Sequence, residues 1–151
     1  MARDALLSAA LRHIRDAEHL LARGAHRSVE QALHLAGFAP ECARKGCVDD
    51  AITDHALGHD IRDATDTTVD LLLAFDPAAS RYAIDEQAAR LPHRAAHWRP
   101  DCRYMATQSP EVNESRAEDV VREARSFVDD CLLALWSDGV LADDVLRWPG
   151  A

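Results

Sequence analysis

Aromatic residues make up only 5% of this chain, and glycine and proline number six each, so few breakers interrupt its long stretches of good helix formers. Long apolar runs are missing too. None approaches the roughly 18 residues that would span a bilayer, and the opening MARDALLSAALRHIRD carries charges where a signal peptide needs an unbroken apolar core. A cytoplasmic protein with no membrane contact is expected. In that compartment the four cysteines, Cys42, Cys47, Cys102 and Cys131, are expected to be thiols or ligands rather than disulfides. Basic charge is also short: 17 Lys and Arg against 26 Asp and Glu give a formal net charge of -9 and a pI near 5.2. That sign disfavours a broad grip on a phosphate backbone, and only Arg90, Arg94, Arg99 and Arg103 form a local basic cluster. Internal repeats, low-complexity tracts and a glycine-rich phosphate loop are absent.

What remains is a helical pattern in 151 residues, a length that suits one domain with a real core (1–151). Between Ala5 and Arg23, Leu7, Ala10, Leu11, Ile14, Ala17 and Leu21 recur at the spacing of one helical face. Gly24 is expected to close that helix in a left-handed conformation, and Ser28 with Gln31 has the spacing of a capping box for the next. The second helix, Ser28 to Val48, carries Ala32, Leu35, Ala36, Ala39, Ala43 and Cys47 on its inner side. Such small side chains let neighbours approach closely and predict a central place in the bundle. Pro40 should bend it near Leu35 to Gly37. Further helices are expected over Asp60 to Phe75 and, more weakly, Ala79 to Leu91, followed by an irregular segment, 92–112. A capping-box match at Ser115 and Glu118 opens a last long helix to Asp138, with Gly139 ending it before a short tail, 139–151. The predicted fold is an all-α, up-and-down bundle of about five helices.

Three segments carry a resemblance. They are Ala36-Gly37-Phe38-Ala39-Pro40-Glu41-Cys42-Ala43-Arg44-Lys45, then Gly58-His59-Asp60-Ile61, then Trp98-Arg99-Pro100-Asp101-Cys102-Arg103-Tyr104. In this order they resemble the HEPN domain, a helical family associated with nucleotides and RNA. The resemblance spans most of the chain, with Pro40 and Gly46 standing where leucine or alanine is more usual. It implies a homodimer, a nucleotidyltransferase-like protein as partner, RNA or a nucleotide as ligand, and a role in a prokaryotic toxin-antitoxin or defence system. No cofactor is implied.

Family members that cleave RNA pair an Arg with a His a few residues later, near the start of the last long helix. The Arg would steady charge on the phosphate and the His would move the proton of the attacking 2'-hydroxyl, with no metal needed. Here the last helix holds Arg116, Arg122 and Arg125 but no histidine after them. Arg90 and His97 match the pattern formally, although Pro92 lies between them; Arg12 and His19 match it in the first helix, away from the family's site. The preferred expectation is therefore a non-catalytic or degenerate binding or accessory protein. Its alternative is a metal-independent endoribonuclease of the toxin type using Arg90 and His97, with Arg94, Arg99, Arg103 and Tyr104 toward the RNA.

Histidine pairs at His55 and His59 and at His93 and His97, with Cys102 nearby, have the four-residue spacing that can present two metal ligands. Neither comes with a second tightly spaced pair, so a metal site is not favoured. Cys42 and Cys47 read as buried small hydrophobes, and Glu41 with Lys45 as a helix-surface ion pair. His59-Asp60 reads as a helix-opening cap, and Arg103 as a structural tie to a carboxylate such as Glu41 ahead of a phosphate contact.

Overall fold

In the computed structural model the described residues are 3–22, 24, 27–47 and 114–141. They form three α-helices, α1 (Arg3–Leu21), α2 (Val29–Gly46) and α3 (Glu114–Ser137), and no strand occurs among them. The described part of the chain is thus all-helical. The helices expected over 60–75 and 79–91, the segment 92–112 and the tail beyond Leu141 lie outside the described residues.

The apolar stripe read from α1 is the buried one: Leu7, Ala10, Leu11, Ile14 and Ala17 face the core, joined by Leu6, while Leu21 is partly buried. Asp4 in the first turn and His19 in the last suit the helix dipole. The C-terminus differs from expectation. Gly24 does not adopt the left-handed conformation, since among the described residues only Gly139 has a positive φ. Instead α1 stops at Leu21 because its last carbonyls find other donors: Ala22 N–H reaches Glu18 and His19, Ser28 N–H reaches Leu20 at 3.0 Å, and Arg27 Nε reaches Leu21 at 3.3 Å.

Ser28 is the N-cap of α2, at φ -144° and ψ 103°, and its Oγ accepts the Gln31 N–H at 3.4 Å, longer than an ordinary N–H···O bond. Ala32, Ala36, Ala39, Ala43 and Cys47 are buried, and Leu35 and Cys42 are only partly so. Pro40 removes the N–H that would have reached the Ala36 carbonyl, yet α2 runs unbroken through it with the ring fully buried. This helix packs on both α1 and α3, which touch each other less, so the small-residue element is central among the three.

At its C-terminal end α2 is locked to the start of α1. A Cβ on Gly46 would stand 2.6 Å from Leu7 Cδ2 and 2.8 Å from Leu7 Cγ, so only glycine leaves room for that side chain. Beside it, Arg3 Nε donates to the Gly46 carbonyl at 3.0 Å, satisfying one of the terminal acceptors of α2.

Ala117, Val120, Val121, Ala124, Val128, Cys131, Leu132 and Leu135 of α3 are all buried, as their spacing predicts. Its N-terminus is a correction. The helix already includes Glu114, so Ser115 is an exposed first-turn residue and not the cap. The other end is as expected. Gly139 sits at φ +69°, its N–H bonds Trp136 O at 2.9 Å, and Val140 N–H bonds Leu135 O at 2.9 Å, the paired bonds of a Schellman ending. Leu141 then folds back into the core.

Candidate functional site

Arg90, His97, Arg94, Arg99, Arg103 and Tyr104, together with His55, His59, His93 and Cys102, lie outside the described residues. The second Arg–His match, Arg12 and His19, is in α1, with both side chains exposed. Seven residues of helix separate them by roughly 10 Å along the axis. Among the described residues no group of three or more His, Cys, Asp or Glu side chains is placed to hold a metal.

Two other constellations come together. The first is polar and lies along α2. Lys45 Nζ donates to Glu41 Oε1 at 2.7 Å, the expected ion pair, but both partners are largely buried rather than on an open helix surface. Arg44 is only 6% exposed, and its Nε has no hydrogen-bond acceptor among the described residues. Burial lowers its pKa, with Glu41 and then the Cys131 and Cys47 side chains pulling the other way. Phe38 meets the ring of His34 edge-on at 4.7 Å, and that of His13 on α1 at 5.8 Å with a 34° tilt. Burial also lowers the pKa of His13, helped by Arg12 and opposed by Asp16 and Glu41. Cys42 is pushed up to about 11, first by burial and then by Glu41, which leaves a thiol and not a nucleophilic thiolate at neutral pH.

The second is a groove of about 290 Å³ between α1 and α3, lined by Leu11, Arg15, Arg125, Asp129, Leu132, Leu133 and Trp136. Leu133 is 60% exposed and Trp136 49%, large apolar surfaces that a solvated helix face would ordinarily avoid. Arg125 braces this groove. Its Nε donates to Asp129 Oδ2 at 2.8 Å and its Nη1 to the Glu18 carboxylate at 3.2 Å, joining α3 to α1. The Asp129 hydrogen bond raises its pKa further. Arg122 is held by Asp119 on the same helix.

Sequence reasoning missed Arg44 and the exposed pair. Arg44 stands four residues after buried Pro40 and three before buried Cys47, so position pointed inward while residue type pointed out. Leu133 and Trp136 are three apart, and Leu132, one turn before Trp136, lines the same groove, so the apolar face of α3 is wider than the buried stripe alone. No helix among the described residues is long and apolar enough to cross a membrane. No protein-family model matches the chain, and neither the curated proteins nor the solved structures give a significant match.

Proposed function

We propose that this chain is a non-catalytic, HEPN-like helical binding protein of about five helices that works as a homodimer joined through the α1–α3 groove. The observation that carries the reading is the composition of that groove. Leu133 and Trp136 stand exposed beside Arg15, Arg125 and Asp129, so one patch holds an apolar centre and both signs of charge. A two-fold axis sets such a patch against itself, matching arginine to aspartate and covering the apolar surface; a patch of one sign would repel its copy. The arginines of α3 support a binding role. Arg122 and Arg125 are engaged by carboxylates, and no histidine follows them on the helix. The resemblance places such a dimer beside a nucleotidyltransferase-like protein, with RNA or a nucleotide as ligand, in a cytoplasmic toxin-antitoxin or defence system.

A native mass spectrum of the untagged full chain should show twice the 16.6 kDa chain mass, and Leu133→Asp should return the monomer with unchanged helicity. A monomeric wild type would overturn the dimer. The catalytic half of the question is read separately, by incubation with RNA in chelator: cleavage abolished in both Arg90→Ala and His97→Ala would overturn the binding-only reading.

A further inference from the structure

The groove between α1 and α3 has an internal order that the homodimer leaves unused. Arg125 Nη1 of α3 reaches the Glu18 carboxylate of α1 at 3.2 Å, which fixes the turns of the two helices that stand level. Leu11 and Arg15 precede Glu18, yet they line one groove with Leu132, Leu133 and Trp136, which follow Arg125. The two helices therefore run antiparallel. Parallel helices level at Glu18 and Arg125 would leave Leu11 and Trp136 roughly 27 Å apart along the axis, too far to share that groove.

Two tiers follow from this register. One turn from the Glu18–Arg125 pair, Arg15 on α1 stands level with Asp129 on α3, an exposed carboxylate whose Oδ2 accepts from Arg125 Nε at 2.8 Å. This is the charged tier. The next turn brings Leu11 level with Leu132 and Leu133, and Trp136 stands one turn beyond. That is the apolar tier. Arg125 is already engaged by two carboxylates, so its charge is offset within its own chain.

A two-fold axis can meet these tiers in two ways. An axis across the helices turns the partner's α3 antiparallel. Centred on the apolar tier, it covers Leu133 and Trp136 but carries Asp129 away from the partner's Arg15. Centred on the charged tier, it joins arginine to aspartate but leaves Leu133 and Trp136 opposite the first half of the partner's α3. An axis along the helices sets each tier level with its own copy, so it covers the apolar surface and pairs the charges together.

We propose that, in the homodimer on which this step rests, the two-fold axis runs along α1 and α3. Leu133 and Trp136 then pack on their copies, and each Arg15 faces the partner's Asp129.

Two cross-links in the full chain test this, one for each tier. Leu133→Cys, at an exposed position, should close a disulfide between the two copies of position 133 under mild oxidation, mapped by digestion without reductant and mass spectrometry. Arg15→Lys keeps the charge and supplies an amine that carbodiimide can join to a touching carboxylate. In an equal mixture of light and isotope-labelled chains, roughly half of the interchain links from position 15 to Asp129 should join a light to a labelled chain, as random pairing gives. Both links are expected together. The disulfide without the mixed-isotope link would mean an axis across the apolar tier, and the mixed-isotope link without the disulfide an axis across the charged tier. Either result, or neither link in a chain that native mass spectrometry shows to be dimeric, overturns the orientation and leaves the dimer standing. A monomeric wild type overturns both.

Discussion

The seam between α1 and α2 and the outer side of α3 are built on opposite plans. In the seam, Gly46 leaves room for Leu7, alanines line the inner side of α2, and Arg3 ties its Nε to a helix-terminal carbonyl at 3.0 Å. On α3, Leu133 and Trp136 project with 60% and 49% of their surface exposed, beside ion pairs open to solvent. Those exposed pairs contribute only about 0–1 kcal/mol each. The contrast assigns stability to the seam and association to the outer face, so a substitution should change one property and spare the other.

The largest effect is expected where the seam is tightest. Leu7→Ala removes a fully buried side chain and should cost about 2–5 kcal/mol in urea unfolding. Gly46→Ala forces Leu7 to move and should cost about 1–3 kcal/mol, despite the better helix propensity of alanine. Combining them removes the clash with the side chain that suffers it, so the double variant should be more stable than the two costs summed imply. Additive costs would show that the Gly46–Leu7 contact is not what closes the seam.

A gain is expected next. Arg44→Met keeps the length of the side chain and removes a nearly buried charge, so stability should rise by about 1–3 kcal/mol. A loss of that size would mean that the guanidinium is held by a strong partner. Smaller again is Gly139→Ala. At φ +69° a Cβ is strained by about 1 kcal/mol, although nothing stands within 4 Å of it, so the penalty should be backbone strain alone.

These expectations separate what residue spacing encodes from what it does not. Apolar periodicity in Leu7 to Ala17, Ala32 to Cys47 and Ala117 to Leu135 sufficed for the buried faces, because a 3.6-residue repeat is a local property. Gly139 was equally legible, since its position after the last periodic residue is a local stop signal. Gly24 misled because the residues after it supplied other donors to the end of α1. The Gly46–Leu7 contact joins positions 39 residues apart (46 − 7), and no local pattern encodes a distance of that kind. Arg44 was hidden by its type, since an arginine is read as solvated until its neighbours on both sides prove buried. The residues expected to face RNA, Arg90 to Tyr104, lie outside the described residues.

The smallest effect is a slope. His13 lies in the seam, standing on α1 with its ring 5.8 Å from Phe38 of α2 and its Nδ1 buried without a hydrogen-bond partner among the described residues. Folding lowers its pKa from 6.5, chiefly through burial and then through Arg12, against the opposing pull of Asp16 and Glu41. A base with a lowered pKa binds its proton less readily in the folded chain than in the unfolded one. Its contribution to stability is therefore whole above pH 6.5 and is lost as pH falls through the lowered value. Urea midpoints at pH 7.5 and 5.5 should differ less in His13→Phe, which keeps a ring against Phe38 and cannot titrate, than in the wild type. An equal difference in both proteins would place the acid sensitivity elsewhere and leave His13 as a packing residue of the seam.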